Sequence, residues 1–231
     1  MNAVIYPETL FAQEYIHLVK GYDKIVWQKH FSNELGKLAQ GLGNRSAESN
    51  TILFIWKPQV PQDLKLEYGR IVCDINTQKS ETHRTRLIVG YNLNDYPIDV
   101  TITESDITTA KTLINSTVST SDAIFVFEDV SKFYLNISKD HYEYMQLPFD
   151  ITPLEIIDEY NVSDISHTGK VYIDIWKGIY GLPQAGIIAH DRLKENLEKH
   201  GYQPVEFTPG LWNHKYNLGL WNHKYFTLHV K

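Results

Sequence analysis

The apolar run Ala123-Ile124-Phe125-Val126-Phe127 is followed within two residues by Asp129. A strand that ends on a carboxylate is how metal-dependent phosphoryl-transfer sites are often built, because a buried sheet holds the ligand rigidly. Further along, Tyr180-Gly181-Leu182-Pro183-Gln184-Ala185-Gly186 reads as a tight Gly/Pro turn that opens a helix and presents Gln184 at an element boundary. Lys79, Arg84 and Arg86 gather positive charge in a chain whose formal net charge is −6. Taken singly, each has a plainer use. Asp129 can be a turn or cap residue, Gln184 can satisfy a helix N-terminus, and Arg86 can be a surface charge.

The elements that must position these groups alternate along the chain. Asp23 is placed to cap a helix whose apolar positions Trp27, Phe31, Leu35 and Leu38 follow helical spacing, with Gly41 and Gly43 as stop signals. Thr51–Trp56 is a short apolar run before Pro58 and predicts a buried strand. Arg70–Ile75 and Arg86–Val89 read as a strand pair joined by the polar loop Asn76–His83. Ser105 or Asp106 opens a second helix with Ile107, Ala110, Leu113 and Ile114 on one face. After the Asp129 segment come an aromatic stretch at Tyr142–Leu147, a helix start at Thr152-Pro153, a strand at Val171–Trp176 and a helix from Pro183 to Lys199, with Gly201 as its stop. This alternation predicts an α/β or α+β chain with an antiparallel or mixed sheet and packed helices.

Composition bounds the functional class. The chain has 231 residues, and 42% hydrophobic with 22% charged residues is ordinary for a globular protein. An acidic balance argues against a protein that simply coats nucleic acid, since phosphate binding wants a basic surface. A polymerase domain tolerates it when positive charge is confined to the groove. Cys73 is the only cysteine, which excludes an internal disulfide and a thiolate metal cluster. The first twenty residues lack a signal-peptide core, and no apolar run approaches membrane-spanning length. The expectation is an intracellular protein, cytoplasmic or nuclear, that is not secreted and has no membrane partner. Gly210-Leu211-Trp212-Asn213-His214-Lys215-Tyr216 recurs as Gly219-Leu220-Trp221-Asn222-His223-Lys224-Tyr225, and two copies do not make a repeat architecture.

Five segments in order carry a resemblance to a known family. They are Trp27 with Glu34-Leu35; His83-Arg84-Thr85-Arg86-Leu87-Ile88-Val89-Gly90; Asp129 to Asn136; Tyr144-Met145-Gln146-Leu147-Pro148; and Tyr180 to Gly186. In this set the chain resembles the reverse transcriptases of copia-type long-terminal-repeat retrotransposons, over roughly Trp27 to His214. The resemblance implies reverse-transcriptase-like fingers and a partial palm, and an RNA-directed DNA polymerase (a nucleotidyltransferase) acting on an RNA or DNA template-primer with deoxynucleoside triphosphates. It implies Asp129 as a magnesium ligand, with the backbone carbonyl of Val130 as a further one. Tyr134 would be the bulky residue that rejects a ribose 2′-hydroxyl, and Gln184 would contact the incoming nucleotide. Arg86, with Arg84 or Lys79, would hold the triphosphate, a role to which guanidinium geometry is suited.

The family also carries a pair of adjacent aspartates on a later hairpin, and no Asp-Asp pair occurs in these 231 residues. Phe226-Thr227-Leu228-His229-Val230 resembles the strand leading into that hairpin. The resulting expectation is a lead-in at 1–22, fingers and partial palm at 23–208, and a duplicated tail at 209–231 truncated before the paired aspartates and inactive in polymerisation. The alternative is a non-catalytic remnant that binds nucleic acid or a partner. A metal-dependent hydrolase using Asp129 and Asp174 is the weakest reading, because no positioned base or third ligand accompanies them.

Overall fold

A computed structural model describes residues 4–5, 12–78, 81–90, 107–121, 133, 135, 138–215 and 226–227. The chain forms two compact units, the first comprising Met1–Pro97 and Tyr134–Ala185 and the second Ile98–Phe133 and Gly186–Lys231.

The first unit opens with two short paired strands, β1 (Val4–Ile5) and β2 (Ala12–Gln13), and a single-turn helix α1 (Tyr15–Leu18). Helix α2 (Lys24–Leu38) follows, and its apolar stripe does what the spacing predicts: Trp27, Phe31, Leu35 and Leu38 are fully buried. Each such side chain contributes roughly 1.5–3 kcal/mol by leaving water. Tyr15 sets its ring edge-on to Phe31 at 4.8 Å, so α1 is part of this core. Asp23 occupies the N-cap of α2 without a side-chain capping hydrogen bond.

Five strands then build a mixed sheet. They are β3 (Ile52–Ile55), β4 (Glu67–Ile75), β5 (His83–Gly90), β6 (Ser138–Pro148) and β7 (Lys170–Lys177), in the spatial order β3-β7-β6-β4-β5. All neighbours are antiparallel except β4 and β6, which pair in parallel through Glu67↔Met145 and Tyr68↔Gln146. Between β6 and β7 lie the short helices α4 (Leu154–Glu159) and α5 (Val162–Ile165). Pro153 sits at the N-cap of α4, one position before the first helical residue. Alternation along β7 sends Val171, Ile173 and Ile175 into the core, where they meet Met145 and Leu147 of β6 and Phe54 of β3.

The second unit contains helix α3 (Ile107–Ser119), most of α6 (Pro183–Lys199) and a three-stranded antiparallel sheet in the order β10-β9-β8. Its strands are β8 (Tyr202–Pro204), β9 (Leu211–His214) and β10 (Phe226–Thr227). Gly201, with φ of +86°, breaks α6 before β8, as its position in the sequence predicts. The first copy of the duplicated heptapeptide supplies β9, while Tyr216 and the second copy fall outside the described residues. Helix α3 starts at Ile107 as expected, but none of its residues is buried, so Ile107, Ala110, Leu113 and Ile114 do not form a core face. The expected strand Ala123–Phe127 lies outside the described residues. No helix among the described residues is long and apolar enough to cross a membrane.

Candidate functional site

Strand β5 is the outer strand of the five-stranded sheet, so one row of its backbone groups faces away from β4. Unsatisfied groups there would cost free energy and invite another strand. Two local devices satisfy members of this row. The N–H of Val89 donates to the carbonyl oxygen of Tyr180 at 2.9 Å, and the N–H of Leu87 donates to the carboxylate of Glu34 on α2.

The first device brings together two of the segments singled out in the sequence. The Tyr180-Gly181 turn lies directly on β5, and Gly181 adopts φ of +93°. A Cβ at Gly181 would stand 2.2 Å from the Val89 carbonyl oxygen and 2.5 Å from Cγ2 of Ile88, so only glycine permits this approach. Across the contact, the guanidinium carbon of Arg86 sits 5.1 Å from the centre of the Tyr180 ring, a cation–π distance.

Gln184 is the second residue of α6, near the start of a helix as its turn signals predict. Its side chain is 4% exposed, and its Oε1 is buried without a hydrogen-bond partner. Arg86 Nε is likewise buried and unpartnered. An orphaned acceptor and an orphaned donor on either side of one turn are costly unless a ligand or water completes them. Both side chains belong to the first unit, together with Glu34, Tyr180 and Gly181.

Glu34 was not singled out from the sequence as a site residue, although a signal exists. It lies within the stripe Trp27, Phe31, Leu35, Leu38 of α2, where a carboxylate has no packing reason to be. Burial pushes its carboxyl above the ordinary range, opposed by Lys37, the Leu87 N–H, Arg86 and Arg84. Beside it on the same helix, the His30 ring stacks 6.1 Å from His83 of β5, and Trp27 meets His83 edge-on at 4.8 Å.

Of the residues expected to act, Arg86 and Gln184 are thus carried by neighbouring parts of one turn-and-strand contact. Asp129, Val130, Tyr134 and Lys79 lie outside the described residues. Asp174 stands on β7 and accepts a hydrogen bond from the Trp176 indole at 2.8 Å. Among the described residues no group of three or more His, Cys, Asp and Glu is arranged to hold a metal ion. Within the second unit, a groove of about 350 Å3 is lined by Phe207, Trp212 and Pro204 with His190 and Lys194, and no carboxylate lines it.

The architecture defines a mixed α/β protein whose first unit is a five-stranded mixed sheet covered by helices. No family model, no curated protein and no solved structure matches the chain.

Proposed function

We propose that this chain is the fingers and part of the palm of a copia-type reverse transcriptase, and that the Arg86–Tyr180–Gln184 region receives the phosphates of a deoxynucleoside triphosphate. The observation that carries the reading is the docking of the Tyr180-Gly181 turn on the Arg86–Val89 segment of β5. Two of the five family-like segments, separated by about ninety residues of sequence, meet through a contact that requires glycine. An unpartnered guanidinium nitrogen at that contact suits an incoming phosphate oxygen, since charge-assisted hydrogen bonds are the stronger kind.

Magnesium would be held by Asp129 and the Val130 carbonyl, and when bound it would neutralise developing phosphate charge. That donor set is short of a two-metal site: no Asp-Asp pair occurs in the sequence, and the described residues offer no acidic cluster in its place. The buried, unpartnered Arg86 nitrogen and Gln184 oxygen serve a second reading as well, a chain that binds nucleic acid or a partner without catalysis.

Incorporation of labelled deoxynucleotides on a primed RNA template, with an Asp129→Asn control, tests the catalytic part. Residues 1 to 231 are expected to give no templated synthesis, and incorporation abolished by that substitution would overturn the expectation. Salt-dependent binding to a primer–template supports the nucleic-acid-binding reading, and its absence opposes it.

A further inference from the structure

The groove of the second unit is built from two sides. Helix α6 supplies His190 and Lys194, four residues apart and therefore on one face. The connection from β8 to β9 supplies Pro204 and Phe207, and β9 adds Trp212, which is 8% exposed. Three backbone hydrogen bonds hold that connection. The Val205 N–H donates to the carbonyl oxygen of Leu211 at 2.9 Å, and the N–H groups of Thr208 and Leu211 donate to Val205 and Thr208 at 3.2 Å each. Phe207 falls inside the first of these turns with φ of +59°. Glycine and asparagine take this left-handed conformation in turns, whereas a bulky side chain rarely does. Phe207 gains no burial in return, since it is 93% exposed. Backbone strain kept at an exposed aromatic residue that lines a groove has no packing explanation, and such outliers cluster at ligand sites.

We propose that this groove binds a small aromatic carboxylate, with its ring against Phe207 and Trp212 and its carboxylate at Lys194. The reading is independent of the one given for Arg86. A volume of about 350 Å3 is that of a small-ligand pocket, for which the range is roughly 300–1,000 Å3. Among the described residues that line the groove, Lys194 is the one Lys or Arg, and no carboxylate opposes it. It makes no ion pair among the described residues. His190 already has an acidic neighbour, with Nδ1 lying 3.6 Å from Asp191 Oδ1. One cation beside an aromatic surface matches one negative charge on a flat apolar body. A nucleic-acid strand suits the groove less well. Its phosphates want several cations, and here Asp191 and the exposed Glu206 stand next in sequence to lining residues.

The probe is naphthoate, titrated into the full chain by calorimetry at low salt, with naphthamide as its uncharged counterpart. Naphthoate is expected to bind more tightly than naphthamide by about threefold to fivefold, and Lys194→Gln is expected to erase that difference. Phe207→Gly should weaken both ligands by about threefold or more. Glycine accepts the positive φ without strain and the lost ring is exposed, so this variant should fold at least as stably as wild type. No binding of naphthoate at about 1 mM overturns the proposal. Equal affinity for the two ligands, or a preference that survives Lys194→Gln, overturns the carboxylate assignment. Undiminished binding by Phe207→Gly shows that the ligand sits elsewhere and removes the groove as its site.

Discussion

The backbone N–H of Val89 and the carbonyl oxygen of Tyr180 are joined by a 2.9 Å hydrogen bond that fastens the turn before α6 to the outer edge of the sheet. The geometry on either side of that bond leads to definite expectations.

Gly181→Ala places a methyl group 2.2 Å from the Val89 carbonyl oxygen at a positive φ. The change is expected to cost roughly 2 kcal/mol or more, combining steric overlap with backbone strain. Gly43→Ala provides the comparison, since Gly43 has φ of +50° with nothing within 4 Å of its added Cβ. It should cost only about 1 kcal/mol. Urea unfolding of the two variants checks the difference, and equal losses would show that the turn is not held against β5.

Arg86→Ala separates stability from binding. The substitution removes a cation–π contact with Tyr180 but also removes a buried nitrogen that lacks a partner. These effects oppose, so stability should move by no more than about 1 kcal/mol. Tripolyphosphate affinity should fall by about tenfold or more. Gln184→Met should in turn stabilise the fold by about 1 kcal/mol, because it replaces an orphaned buried oxygen with a shape-matched apolar group.

Cys73 should be silent to thiol reagents in the native protein. It is 4% exposed on β4, and burial pushes its thiol up to about 12, leaving almost no thiolate at neutral pH. Labelling by a chromogenic disulfide should follow unfolding and rise to one thiol per chain in denaturant. Fast stoichiometric labelling without denaturant would contradict this burial.

Stability should fall as the pH drops below about 6.5, the ordinary value of His30. Burial holds His30 below that value, so its contribution is complete above the unfolded value and is lost as the pH falls through the lowered one. Glu34 works in the opposite sense. Its raised carboxyl contributes stability that is complete below the unfolded value of 4.5 and is lost as the pH rises through the raised one. His30→Gln isolates the first effect, and its unfolding midpoint should vary less than wild type between pH 5 and 7.5. An unchanged profile would assign the acid loss to other groups.

Much of this architecture was legible in the sequence because its signals are local. Helical spacing found α2 through Trp27, Phe31, Leu35 and Leu38, and Gly/Pro punctuation found the start of α6 at Pro183. The β4–β5 pair was legible as two strands around a polar loop. The parallel pairing of β4 with β6 was not, since it joins Glu67 to Met145 and no local pattern encodes so distant a register. Helix α1 has four residues, too few for periodicity, yet it buries Tyr15 and Leu18. Of the candidate site residues, Arg86 was readable as part of a local basic cluster and Gln184 as the opening of a helix after a Gly/Pro turn. The pairing of Glu34 with the Leu87 N–H needed the packing of α2 on β5, which brings together groups fifty-three positions apart.

The order of strands also has a consequence in time. Strands β4 and β5 are joined by a short loop and can pair as soon as they are made, with α2 already available to cover them. Strand β3 waits much longer. Its neighbour among the described strands is β7, so Ile52-Leu53-Phe54-Ile55 has no described partner strand until Lys170–Lys177 has left the ribosome. Pairings this distant in sequence form late and leave apolar strands open to wrong partners meanwhile. A ribosome stalled before β7 would therefore carry a finished hairpin together with an apolar strand still waiting for its neighbour, an interval in which a chaperone has something to hold.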